Sequence, residues 1–132
     1  MNQTNTILGT DEPALTTPTS EERTMAVLSH ILCVIGGFLA PLIIYLIKKD
    51  ESAYIRSHAK ESLNFQLTVL LAWIALWIVT MILTFIFFFF SFLGFPLMVL
   101  LMIANLVLVI IATIRASENK IYKYPFSIKF VK

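Results

Sequence analysis

Charge is what this sequence has least of. Asp, Glu, Lys and Arg make up 14% of its 132 residues and 58% are hydrophobic, where an ordinary soluble domain carries about 25% charge. So little polar surface excludes a water-soluble globule. A single cysteine, Cys33, excludes an intrachain disulfide framework. With only four glycines there is no Gly-rich phosphate loop, and neither CxxC nor a nucleophile elbow occurs, so the motif-based routes to a nucleotide site, a metal centre or a hydrolase are closed. The first residues lack a basic stretch ahead of the first apolar run, so no signal peptide is expected. The net charge of +2 is not spread along one soluble face, which argues against nucleic acid as a partner.

What the chain does have is long stretches without charge. Between Glu61 and Arg115 lie 53 residues lacking Asp, Glu, Lys or Arg, and a helix needs about 20 residues to cross a bilayer. Met25 to Ile47 adds 23 more. The expected fold class is therefore an all-α membrane protein with three transmembrane helices, at about 25–47, 70–93 and 96–114. The turn between the second and third is expected at Gly94-Phe95-Pro96, with Pro96 opening the third. A run of six phenylalanines from Phe85 to Phe92 reads as a lipid-facing or packing surface. The Thr-rich, acidic residues 1–22 read as a disordered tail, and 23–132 as one membrane domain. Ser20 can cap the helix that carries Glu21 and Glu22.

Two further segments are polar. Residues 51–66 read as a short interfacial helix capped by Asp50 or Ser52, with Lys48, Lys49, Arg56 and Lys60 reaching toward lipid headgroups. From 117 to 132, Tyr122, Tyr124, Phe126, Ile128 and Phe130 alternate with Lys123, Pro125, Ser127, Lys129 and Val131. That period of two suits an extended segment on the membrane surface or a strand added to a partner. Gly36, Gly37 and Pro41 weaken the first span. As an alternative they allow a shallow re-entrant hairpin, which keeps the N-terminus on the side where the chain emerges. With three spans, one basic residue (Arg23) lies on one side and nine on the other, so the positive-inside rule puts the N-terminus outside and the C-terminus in the cytoplasm.

Candidate functional groups are the polar residues in or near the membrane. Asn105 sits within the third span, expected to bond Thr80 or Thr84 against the close approach of Gly36-Gly37. His30 lies within the first span as a neutral, carbonyl-bonded ring or a proton-sensitive one. His58, Glu61 and Asn64 follow at intervals of three on one helix face, with Gln66 nearby. One histidine and one carboxylate are too few ligands for a metal, and with His30 and His58 expected on opposite sides of the bilayer they cannot join. No catalytic residue, cofactor or metal is expected, and the chain reads as no enzyme.

Several stretches resemble a known family: Glu22-Arg23-Thr24-Met25-Ala26, Ser29-His30, Pro41-Leu42-Ile43-Ile44, Lys48 to Ser52, His58 to Gln66, Tyr122-Lys123-Tyr124-Pro125 and Lys129-Phe130. Over about residues 21 to 132 the chain resembles the small bacterial membrane proteins distantly related to the chloroplast import component Tic-twenty. The resemblance implies an all-helical protein of a bacterial plasma membrane without established activity. Two functions are expected. One is an accessory subunit whose surface of Lys48, Lys49, Arg56, Lys60, Tyr122, Tyr124 and Lys129 docks a membrane-protein partner or anionic lipid. The alternative is a homo-oligomeric channel or transporter subunit lined by Asn105, His30 and the Gly36-Gly37 break.

Overall fold

A computed structural model describes residues 4–88 and 91–132. Its architecture is mostly helical: α1 (Ser20–Ile31), α2 (Cys33–Gly36), α3 (Leu39–Lys48), α4 (Ala53–Ile86) and α5 (Ser91–Ser117), with strands β1 (Thr4–Thr6), β2 (Gly9–Pro13) and β3 (Lys120–Lys123). Among the described residues two helices, not three, are long and apolar enough to cross a membrane, α4 and Phe92–Ser117 of α5. Their apolar surface is left open: Ile74, Ile78, Met81, Phe85, Leu100 and Met102 are all exposed. Water would not tolerate that much contiguous hydrocarbon, whereas lipid would.

The segment expected as a first span, 25–47, is instead broken into three pieces. Thr19 caps α1, its hydroxyl accepting from the Glu22 N–H while the Glu22 carboxylate accepts from the Thr19 N–H, so the cap falls one residue before the expected Ser20. The chain turns through Gly37, whose φ of 56° is left-handed and costs glycine little. α3 then runs back beside α1. Their outer ends meet, where Lys48 faces Glu21 at 3.7 Å and Ser52 donates to Glu22 at 2.6 Å. Gly36 and Gly37 therefore form the tip of a helical hairpin and not a helix-helix contact. A Cβ on Gly37 would meet nothing within 4 Å.

The expected interfacial helix and second span are one continuous helix. Ser52 caps α4, accepting from the Ile55 N–H at 3.2 Å, and its 34 residues measure about 51 Å at 1.5 Å per residue, well beyond the ~30 Å of hydrocarbon. The helix ends at Ile86, before the expected turn at Gly94, and α5 passes through Gly94 with Pro96 inside it. Phe89 and Phe90 of the phenylalanine run lie outside the described residues. α4 and α5 approach closely where Gly94 faces Thr80, leaving no space for even a Cβ.

The N-terminal residues expected as a disordered tail hold a sheet. β1, β2 and β3 pair antiparallel in that order, with Thr10 opposite Lys123 and Glu12 opposite Ile121. The alternation of the C-terminal segment is thus used inside the chain. Asn119, at φ 64°, reverses the chain between α5 and β3, a conformation that asparagine tolerates. Because β2 pairs with β3, both termini lie at one end of the bundle, against the expected placement on opposite sides. All 18 charged residues fall within segments 11–23, 48–61 and 115–132, which converge at that same end.

Replacing Gly94 by Ala is expected to cost about 1–3 kcal/mol by overpacking against Thr80, read as a lower melting temperature in detergent. Adding Thr80→Gly to the same chain should recover most of the loss. If Gly94→Ala melts like the wild type, the close approach of α4 and α5 is wrong.

Candidate functional site

At the charged end, three small apolar clusters form the core. Phe65, Val69, Ala112, Tyr122 and Tyr124 make one, Ala26, Tyr54 and Ala116 a second, and Ile44, Ile55 and Ala59 a third. Alanines at 26, 59, 112 and 116 let the helices approach, and the rings fill the space between them. Into this core the fold brings His30 from α1 and His58 from α4, both fully buried. The expectation that they lie on opposite sides fails because α1 packs alongside the outer part of α4, which brings the two rings into direct contact.

A row of hydrogen bonds passes through the two rings. Tyr124 Oη lies 2.8 Å from His30 Nδ1, His30 Nε2 lies 2.9 Å from His58 Nδ1, and His58 Nε2 lies 2.7 Å from the Lys120 carbonyl oxygen. The carbonyl can only accept, so with both rings neutral the direction is fixed. His58 donates from Nε2 and accepts at Nδ1, His30 does the same, and the Tyr124 hydroxyl donates into His30. Burial above all, then the neighbouring His58, holds the His30 imidazole well below its ordinary pKa. Burial likewise pushes the Tyr124 hydroxyl well above its usual value, so it keeps the proton it donates. Next to this row, Ser62 donates to the Ser29 carbonyl at 2.6 Å and lies 3.1 Å from Cys33 Sγ. The Cys33 thiol is pushed up to about 11 by burial, which makes it inert.

Of the remaining expected residues, Glu61 and Asn64 bind the chain's own C-terminal segment, and Gln66 and Asn105 bind each other. Glu61 accepts from Lys129 Nζ at 2.6 Å and from the Tyr124 N–H at 3.2 Å. Asn64 takes the Val131 N–H at 2.7 Å and gives an N–H to the Val131 carbonyl at 3.0 Å, as a neighbouring strand would. Thr68 accepts from the Ile128 N–H at 2.9 Å. Asn105 does not reach Thr80 or Thr84; it accepts from Gln66 Nε2 at 3.0 Å, because α5 starts before Gly94 and shifts its register against α4. Tyr122 and Tyr124, expected on the docking surface, are 2% and 5% exposed. They turn inward because β3 lies on the helices.

The expected surface cations divide. Lys48 pairs with Glu21 and Glu51, Lys49 stands over the Tyr45 ring, and Arg56 donates to the Lys49 carbonyl. Lys60 lines a cleft beside the tail. Sequence reasoning passed over Ser62, Cys33 and Thr68, and also the carbonyl of Lys120. Only the inward half of the 117–132 alternation signalled that the tail would reach them.

The His30 row sets a pH dependence. Unfolded, His30 binds a proton near pH 6.5, whereas folded it stays neutral to much lower pH. The unfolded chain therefore holds more protons, and stability present above pH 6.5 falls as pH drops toward the folded value, by up to ~1.4 kcal/mol per pH unit for this group. Thermal unfolding in detergent from pH 7.5 to 5.0 should show that loss, and a His30→Gln variant a shallower one. Equal slopes would rule out a buried neutral His30.

A family model described as the magnetosome magnetite crystal formation protein family, MamF/MmsF, matches residues 21–131. No curated protein and no solved structure matches. The match overturns the resemblance to the Tic-twenty-like proteins, since the stretches that carried it fall almost wholly within residues assigned to this other family. The chain belongs to the MamF/MmsF magnetosome magnetite crystal formation protein family.

Proposed function

We propose that this chain is a non-enzymatic component of the magnetosome membrane, anchored by α4 and α5, that supports magnetite crystal formation by docking a partner or anionic lipid on its charged head. One observation carries the reading: all 18 charged residues gather at one end of a bundle whose other surfaces are apolar. Such a head suits recognition at the membrane interface, where Lys and Arg meet anionic headgroups and acidic partners. The family description supplies the process.

The same observation revises the topology. α4 and α5 span, the hairpin of α1 to α3 enters from the head side and returns to it, and both termini share that side. The head then holds all ten Lys and Arg, while the residues between α4 and α5 include none. The positive-inside rule puts the head in the cytoplasm, so the C-terminus stays as expected and the N-terminus moves inside. The channel reading has less support, since His30 is hydrogen-bonded to His58 and Tyr124 and Asn105 to Gln66 within a single chain. Neither is left to line a path.

A reporter active only on the outer side of the membrane should be silent when fused at residue 2 and at residue 132, while a cytoplasmic reporter works at both. Outer-side activity at residue 2 would restore the three-span arrangement and sink this topology.

A further inference from the structure

Seven of the ten basic side chains in the head are engaged. Arg23 donates to Asn119 at 2.7 Å, Arg115 and Lys120 share Asp11 and Glu118, Lys129 holds Glu61, and Lys48, Lys49 and Arg56 have the partners given above. Among the described residues, Lys60, Lys123 and Lys132 enter no ion pair and no side-chain hydrogen bond. These three come from α4, β3 and the C-terminal end, yet all line the same cleft of about 720 Å³ between residues 12–18, the start of α4 and the C-terminal segment.

Among the described residues, the glutamates on the cleft wall form no ion pair with them. Glu61 is taken by Lys129 and the Tyr124 N–H, and Glu22 by the Thr19 N–H and the Ser52 hydroxyl. Ser57 also lines the cleft, with no hydrogen bond of its own among the described residues. Beside these donors stand the apolar Leu15, which is 91% exposed, and Ile121. Lys60 and Glu61 are the last charges on α4 before the uncharged run, so the cleft opens at headgroup level. Three lysines without an ion pair line one cleft, and the group they suit is a phosphate, which lysine binds as a point charge.

We propose that this cleft binds a phosphate group, carried by an anionic lipid headgroup or free in solution, through Lys60, Lys123, Lys132 and the Ser57 hydroxyl. This deepens the docking reading above and rests on the head lying at the membrane interface.

The test uses the full chain in phosphatidylcholine nanodiscs. In one arm phosphatidylglycerol is added and retained lipid is measured by native mass spectrometry. In the other, inorganic phosphate is titrated into discs of phosphatidylcholine alone. The variant Lys60→Gln/Lys123→Gln/Lys132→Gln should bind at least about tenfold more weakly, given the attraction each lysine contributes near an anionic group. The variant Lys48→Gln/Lys49→Gln/Arg56→Gln, equal in charge, should bind as the wild type does. Loss confined to the lipid arm assigns a headgroup, and loss in the free-phosphate arm assigns a soluble phosphate; either supports the site. Undiminished binding by the cleft variant overturns it, as does an equal loss in the two variants, which would mean only the head's overall charge is felt. The reporters at the termini answer separately, so a failed cleft leaves the topology and the docking reading standing.

Discussion

The row from Tyr124 through His30 and His58 to the Lys120 carbonyl holds together parts of the chain that nothing else in so apolar a sequence would order. Each ring nitrogen is buried and each must find a partner, since an unmet donor or acceptor there costs about 1–3 kcal/mol. Satisfying them fixes α1 against α4 and brings the segment after α5 down onto both. Because the protons can run in one direction only with neutral rings, every member depends on its neighbour. The row is a small polar device in a core built of alanines, branched aliphatic side chains and aromatic rings.

Around it the molecule divides into a head and two legs. The legs are the membrane-facing parts of α4 and α5, where one polar pair, Gln66 with Asn105, marks the boundary and Gly94 against Thr80 sets the spacing farther in. In the head, the C-terminal segment behaves as an added strand: Asn64 pairs with Val131 as backbone would, Thr68 takes Ile128, and Glu61 takes Lys129 and Tyr124. The polar residues on the outer turns of α4 therefore serve the chain's own end before they can serve a partner. What remains for a partner is the set of cations that no internal acid has claimed.

Much of this was legible in the sequence, and the failures have physical causes. Membrane residence followed from the uncharged runs, and the Ser52 cap and polar start of α4 from local chemistry. The break at Gly36-Gly37 was visible, but length favoured a crossing. Only the contact of α1 with α4 could show that the segment folds back. His30 and His58 are 28 residues apart, and nothing in the spacing says that they meet once the hairpin is drawn. The N-terminal strands were missed because their short Thr-rich run has no apolar alternation of its own and depends on β3 for pairing. The turn was sought at Gly94-Phe95-Pro96 because those residues usually break helices. Here glycine serves instead to let two helices touch.

The gathering of every charge at one end has a consequence for how the chain enters its membrane. In the proposed topology the stretch carried to the far side lies between α4 and α5, where the sequence holds no charged residue. Moving it through hydrocarbon requires no ionised group to be stripped of water. α4 and α5 can thus insert together as a loop, from the side on which the chain is made, with both ends left behind. In that topology the energetic barrier that an acidic N-terminal tail would present to export does not arise.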